Sequence, residues 1–103
     1  MNFNELKEKA RQGIEIVEPD FISDNPDALN VGALELNPNQ RLVFSISTFR
    51  NKKYFDIRTW LQAESGDWTP TKKGVHLPFD RFAEFQKYVA IFGQCIELDG
   101  SGE

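Results

Sequence analysis

The sequence has few of the residues on which metal sites, disulfide bonds and membrane spans depend. Cys95 is the single cysteine and His76 the single histidine among 103 residues. No intrachain disulfide can therefore form, and a zinc site of the usual kind lacks ligands. No apolar run approaches the length that crosses a bilayer, and the first twelve residues are too charged for a signal peptide. These absences predict a cytoplasmic protein without a metal or another cofactor.

Motifs that carry catalysis are also missing. The chain has no glycine-rich phosphate loop, no set of serine, histidine and acid, and no paired carboxylates on a predictable pocket wall. Asp56 lies two positions from Arg58 on the same side of a predicted strand, which favours a local ion pair over acid chemistry. His76, between Val75 and Leu77, is predicted to be a structural strand residue. We therefore predict that the protein is not an enzyme.

Charge of the two signs is distributed unevenly along the chain, although the net charge is only −4. Residues 41–73 hold seven basic and three acidic residues, residues 1–40 hold three and eight, and residues 74–103 hold two and five. A basic middle favours an acidic partner, and the acidic ends are expected to compete with that partner for the basic face. Charges that simply lie on solvated faces give the same composition.

Composition and turn signals divide the chain into three parts. Residues 1–27 are predicted to form an acidic extension, residues 28–95 the domain, and residues 96–103 a flexible acidic tail. Within the extension, residues 3–12 are predicted to form a short helix that docks lightly or frays, because its apolar face is thin. The stretch 18–28, with two prolines and four acids, is predicted to be a loop.

Alternating apolar and polar residues predict an α+β fold with about four strands and one C-terminal helix. The predicted elements are strands at 28–37, 40–49 and 53–61, a short strand at 74–77, and a helix at 78–92 that Gly93 ends. Asn51 and Lys52 are predicted to form a tight hairpin turn, since asparagine tolerates positive φ.

The C-terminal helix carries an aromatic stripe that is expected to cover one face of the sheet. Residues at spacings of three and four form this stripe, namely Phe82, Phe85, Val89 and Phe92. The covered face is expected to comprise Leu42, Phe44, Ile46, Phe55 and Ile57, and the opposite face to expose Phe49, Tyr54, Arg58 and Trp60. Because the stripe is wider than one face needs, the leftover apolar surface predicts a homodimer.

The stretch FRNKKYFDIRTW, residues 49–60, alternates like a strand yet holds four aromatic and four basic residues. Single-stranded nucleic acid needs both, since phosphates attract lysine and arginine while unstacked bases lie on aromatic rings. The stretch is therefore predicted to form a surface that binds single-stranded nucleic acid with little sequence preference. The pattern alone leaves alternatives open: the aromatics pack in a core or a dimer interface, the face binds RNA, or it docks a partner protein.

This stretch, the turn ESGD, and a helix with Phe82 and Phe85 together resemble the positive cofactor 4 family of transcriptional coactivators. The resemblance covers about residues 40–92, and its most specific pieces are DIR at 56–58 and PTKKGVHL at 70–77. It implies a curved antiparallel sheet of four strands with one C-terminal helix, paired into a dimer. It also implies that single-stranded DNA is held on the sheets, in transcription regulation or in replication and repair, with transcription or replication proteins as further partners.

The resemblance implies a set of nucleic-acid-binding residues. Phe49 resembles the family's stacking aromatic, and Arg50 and Lys52 resemble its hairpin cations. Arg58 falls on the arginine of the DIR motif, and a basic pair precedes Gly74 as in the family. With neighbouring rings and cations added, the predicted site comprises Phe49, Arg50, Lys52, Lys53, Arg58, Trp60, Trp68, Lys72 and Lys73.

Some positions depart from the family pattern. Leu61 stands where the family has an aromatic residue, so Trp60 is its expected substitute, and Ser47 and Thr69 replace two family cations. These departures predict a weaker affinity rather than another fold. An acidic segment also stands in place of the family's serine-rich and basic tail, which favours a prokaryotic or viral relative over a nuclear coactivator.

Overall fold

The computed structural model describes residues 1–100, which form one four-stranded sheet and two α-helices. The strands are β1 (Ala28–Asn37), β2 (Gln40–Phe49), β3 (Lys52–Gln62) and β4 (Trp68–Pro78), and the helices are α1 (Phe3–Gly13) and α2 (Phe82–Asp99), the latter preceded by a 3-10 turn (Phe79–Arg81). Each strand is antiparallel to the next, in the order β1-β2-β3-β4. The predicted α+β class is confirmed. Within the part of the chain described, neither helix is long and apolar enough to cross a membrane.

Helix α1 docks on the sheet more closely than its thin apolar face predicts, with three of its residues buried, whereas the fraying of its ends stays a prediction. The side chain of Asn2 caps its first turn by accepting a hydrogen bond from the amide of Glu5 at 2.8 Å. Phe3 and Ala10 are buried against Leu29 of β1. The apolar face is short, but all of it lies over the first two strands, so little of its area is left in water.

The β2–β3 turn is formed by Arg50 and Asn51, one residue earlier than predicted. Both residues have positive φ, 51° and 64°. A two-residue hairpin turn of this kind requires positive φ at both central positions, which matches its backbone to the twist of the strands. The turn therefore pairs Phe49 with Lys52 at the end of the hairpin.

Strand β4 is longer than the predicted segment 74–77, because it begins at Trp68. It is an edge strand, so Pro70 can lie within it although proline cannot donate to a neighbouring strand. The pairing of β3 with β4 shifts register between Arg58 and Trp60. Past this irregularity, Gly74 lies directly against β3.

Helix α2 does not end at Gly93 but continues to Asp99, and Gly100 closes it with φ 71°. Glycine inside a helix costs only about 1 kcal/mol relative to alanine, which the rest of the helix can supply. Residues 96–99 of the predicted tail are therefore helical, while residues 101–103 lie outside the described residues.

Helix α2 also covers less of the sheet than expected. Phe82 and Phe85 contact the ring of Phe55, each with centroids 5.3 Å apart. Beyond this first turn the apolar side chains are exposed, and no residue of the helix is buried. The cover over Ile46 is provided by α1 instead, so two helices share the apolar face of the sheet.

Candidate nucleic-acid interface

The strand register gives the sheet a second face, opposite to the helices, which we call the polar face. Pairing of β2 with β3 places Phe49 beside Lys52, Ser47 beside Tyr54, Ser45 beside Asp56, Val43 beside Arg58 and Arg41 beside Trp60 on this face. His76 of β4 joins them opposite Asp56. Lys53 pairs with Thr48, between two pairs of the polar face, and therefore belongs to the face that carries the helices. There it lines a shallow cavity with Phe79 and Asp80.

Phe49 and Arg50 form an exposed pair at the end of the hairpin. The Phe49 side chain is 61 % exposed. The guanidinium carbon of Arg50 lies 5.0 Å from the centre of its ring, within cation–π range. Lys52 stands beside Phe49 in the register. This end of the sheet thus offers a ring to a base and two positive charges to a phosphate.

Arg58 is engaged inside the protein. Its Nε and Nη2 donate to the two carboxylate oxygens of Asp56 at 3.2 and 2.9 Å, and its Nη1 donates to the carbonyl of Thr71 at 2.8 Å. The ion pair predicted from their spacing is confirmed. His76 completes the group, with Nδ1 3.1 Å from Asp56 and its ring stacked on Tyr54 at 4.6 Å. Arg58 therefore ties β3 to β4 and has little freedom to hold a phosphate.

Lys72 and Lys73 are exposed on β4, beside the register irregularity. The amide of Lys73 donates to Thr71 Oγ1 at 3.1 Å, which fixes the backbone rather than the ammonium groups. Among residues 1–100, no ion pair is formed by Lys72 or Lys73, and none by Arg50 or Lys52. These four charges are available to an outside anion.

Trp60 and Trp68 are covered by a residue of the acidic extension. The ring of Phe21 lies 4.6 Å from that of Trp68 and 6.2 Å from that of Trp60, centre to centre. Arg41 reaches Trp68 from β2, across the intervening β3, with its guanidinium carbon 4.9 Å from the ring centre. Phe21 belongs to the site but was missed, because a lone aromatic in a polar loop has no periodicity to mark it. Its isolation among acids and prolines was the one available signal.

Residues 21–26 and the polar face line an open cavity of about 680 Å³. The sheet contributes Asn30, Ser45, Asp56, Arg58, Trp60, Trp68 and Pro70 to its wall. The extension therefore lies across the surface predicted to bind nucleic acid.

Two acids of the extension, Glu18 and Asp24, are paired with α1 and not with the basic face. Lys7 is buried and donates to Asp24 at 3.0 Å and to the carbonyl of Asn25 at 2.7 Å. Arg11 bridges Glu18 at 2.7 Å and Asp24 at 3.0 Å. Hydrogen bonds from Lys7 and then Arg11 lower the pKa of the Asp24 carboxyl, and Glu18 and Asp24 raise the pKa of Arg11. Among residues 1–100, Glu18 and Asp24 thus do not pair with the basic face, whereas the Phe21 ring covers the two tryptophans.

Comparisons with known proteins agree with this architecture. The sequence profile of the family described as Transcriptional Coactivator p15 (PC4) matches residues 36–88, just over half of the chain. A PC4 homolog from Burkholderia pseudomallei has a similar fold in two crystal forms. The orthorhombic form has a TM-score of 0.59 at 20 % identity and covers 69 % of this chain and 96 % of that one. The tetragonal form gives the same score and identity, with coverage of 64 % and 97 %.

A phage protein is also similar. It is the bacteriophage T5 homolog of the eukaryotic transcription coactivator PC4, implicated in recombination-dependent DNA replication. It is 26 % identical with a TM-score of 0.54, covering 74 % of this chain and 84 % of that one. The comparison with curated proteins finds no match.

Proposed function

The chain belongs to the transcriptional coactivator p15 (PC4) family, and from that premise we propose that it binds single-stranded DNA, with little sequence preference and without catalysis. The observation that carries the proposal is the exposed Phe49 ring beside Arg50 and Lys52, at the end of a sheet whose β4 adds two more unpaired lysines. Rings stack any base and cations attract any phosphate, so the surface does not need to recognise a sequence.

The proposed contacts divide by chemistry. Phosphates lie along Arg50, Lys52, Lys72 and Lys73, four cations of the hairpin end and β4 that form no ion pair among residues 1–100. Bases stack on Phe49 and, once uncovered, on Trp60 and Trp68. Arg58 and Lys53 are left out of direct contact, because Arg58 is bonded to Asp56 and Lys53 lies on the other face.

The protein is further proposed to act as a homodimer in a process that exposes single strands. Helix α2 carries apolar side chains that nothing in the described chain covers, which a second copy would bury. The phage T5 homolog is implicated in recombination-dependent DNA replication, and the family is one of transcriptional coactivators. Replication, recombination and transcription regulation are therefore the settings in which to look for it.

A salt series tests the proposal. The protein is titrated into fluorescent oligo-dT, into the same length of duplex, and into oligo-U, at several salt concentrations. If four cations each hold one phosphate, the plot of log affinity against log salt falls with a slope of about −3 for the single strand. Duplex is expected to bind more weakly. Tighter binding of oligo-U would make the face an RNA site, and weak, salt-independent binding throughout would favour a protein-docking surface and refute the proposal.

Two single variants test the contacts. Phe49→Ala is expected to weaken oligo-dT binding about 5- to 150-fold, since one stacked base contributes about 1 to 3 kcal/mol. Lys72→Ala is expected to weaken binding and to reduce the magnitude of the salt slope by about 0.7. Lys9→Ala, which removes an exposed lysine from α1, is the charge-matched control and is expected to leave both values near those of the parent. Parental binding by Phe49→Ala would show that the ring does not stack a base.

A further inference from the structure

The loop that carries Phe21 is anchored at both ends and free between them. At one end the amide of Val17 donates to the carbonyl of Val31 at 3.3 Å. At the other, Lys7 and the amide of Ala28 both donate to the carbonyl of Asn25. Among residues 1–100, the backbone of residues 18–23 forms no backbone hydrogen bond with a helix or a strand, and Asp20 and Phe21 form a local turn. Its position therefore depends on side chains, chiefly the Arg11–Glu18 ion pair and the Phe21 ring.

The ring of Phe21 fills the place that a base would take. Stacked bases are about 3.4 Å apart, so a base inserted between two rings separates their planes by about 7 Å. The centres of the Phe21 and Trp68 rings are 4.6 Å apart with planes inclined by 35°. No base fits between them, and the edge of Phe21 also meets Trp60. A base can take the place of this ring on the tryptophans only where Phe21 has left.

We propose that residues 18–23 form a lid, and that Phe21 is an internal competitor which occupies the two tryptophans until a single strand displaces it. The proposal rests on the proposed function, since it names what replaces the ring. Phe49 is exposed and does not line the cavity beneath the lid, so a strand binds there first and reaches the tryptophans after the lid opens. Binding at the tryptophans is then weakened by the fraction of molecules whose lid is closed.

The two tryptophans report on the lid without any ligand, because they are the only ones in the chain and Phe21 contacts both. Phe21→Ala is expected to raise the rate at which acrylamide quenches tryptophan fluorescence. Val17→Ala is the matched control, because it removes an exposed apolar side chain that does not line the cavity beneath the lid, and it keeps the amide that bonds Val31. Equal quenching in the parent and Phe21→Ala, with native circular dichroism in both, would overturn the lid.

Titration with oligo-dT then tests the competition. Phe21→Ala is expected to bind oligo-dT about 2- to 10-fold tighter than the parent, because this ratio of affinities corresponds to the free energy of one aromatic contact. Val17→Ala is expected to bind with the parental affinity. Weaker binding by Phe21→Ala would make Phe21 a base-stacking wall and overturn the proposal, and unchanged binding would overturn it as well. If neither parent nor variant binds oligo-dT, the proposed function fails and the competition fails with it, whereas the quenching result still decides whether the lid covers the tryptophans.

Discussion

Asp24 is the residue at which the extension, α1 and the lid meet. Its carboxylate accepts hydrogen bonds from the buried Lys7 and from Arg11. The same Lys7 reaches the carbonyl of Asn25 and so fixes the C-terminal anchor of the lid. One carboxylate thus connects the placement of a helix to the placement of the ring that covers the tryptophans.

The lowered pKa of Asp24 predicts how this anchor responds to acid. Its pKa is below the ordinary value in the folded protein, mainly because of the hydrogen bond from Lys7. The stabilisation is therefore complete above the ordinary aspartate pKa and is lost as the pH falls through the lowered folded value. Exchange of the Val17 and Ala28 amides, whose backbone hydrogen bonds flank the loop, is expected to accelerate, relative to the chemical rate, as the pH is taken below about 4.

Asp24→Asn provides the test of that assignment. The variant is expected to show the faster relative exchange already at neutral pH, and to lose the dependence on acid that the parent shows. Asp20→Asn removes a nearby exposed charge that forms no ion pair with any residue from 1 to 100, and it serves as the control. Identical pH profiles for Asp24→Asn and the parent would mean that another group anchors the loop.

The candidate site could be predicted from sequence where a side chain acts through its own strand. Phe49, Arg50 and Lys52 follow from the alternation of one hairpin, and the structure exposes them together. The engagement of Arg58 does not follow from its own strand, because the carbonyl of Thr71 that accepts its hydrogen bond lies on the neighbouring strand β4. Phe21 could not be predicted, since its partners are 39 and 47 positions away in the chain and no local pattern joins them.

Strand β4 approaches β3 so closely that position 74 must be glycine. A Cβ at Gly74 would lie 2.9 Å from the Cα of Arg58 and closer still to the carbonyl oxygen of Ile57. Gly74→Ala is therefore expected to push the strands apart and to lower the free energy of unfolding by about 1 to 3 kcal/mol, as overpacking does. Urea denaturation followed by circular dichroism measures the change.

Gly32→Ala is the matched control for that experiment. Gly32 also lies at a register shift, between β1 and β2, but a Cβ there would meet no atom within 4 Å. The substitution is expected to leave the stability near that of the parent. If Gly74→Ala were equally harmless, the close approach of β4 would not constrain the residue.

The helices and strands differ in how far local sequence determined them. Strands β1 and β2 have the predicted bounds, because their alternation is continuous and turn residues flank them. The sequence predicts a shorter β4 and an α2 that ends at Gly93, since proline and glycine ordinarily interrupt strands and helices. In the structure the sheet edge accommodates Pro70 and the length of the helix accommodates Gly93. The bounds of β4 and α2 thus depend on where each element lies in the fold, which a local sequence pattern does not show.

At the scale of the whole molecule, α2 extends its apolar side chains away from its own sheet. Val89, Phe92 and Ile96 are 46, 66 and 52 % exposed. We expect the protein to sediment as a dimer of about twice its chain mass of 11.8 kDa. Phe92→Glu is expected to shift it toward the monomer, because a charge cannot be buried in such an interface without a large cost. Analytical ultracentrifugation measures the shift.

Gln94→Glu adds the same charge at a polar position of the same helix and is the control for the dimer experiment. It is expected to remain dimeric, and both variants to keep the helical circular dichroism of the parent, since Phe92 is mostly exposed in the single chain. A parent that sediments as a monomer would leave the apolar surface of α2 to another partner.

The packing of α1 on β1 has a consequence for where this chain can be cut. A recombinant fragment that begins at Ala28 would resemble the part matched by the family, yet it would lack Phe3 and Ala10, which cover Leu29. It would also lack Phe21, and both tryptophans would face solvent from the start. Such a truncated protein would aggregate more readily and bind single-stranded DNA more tightly than its parent. Its measured affinity would therefore differ from that of the 103-residue chain.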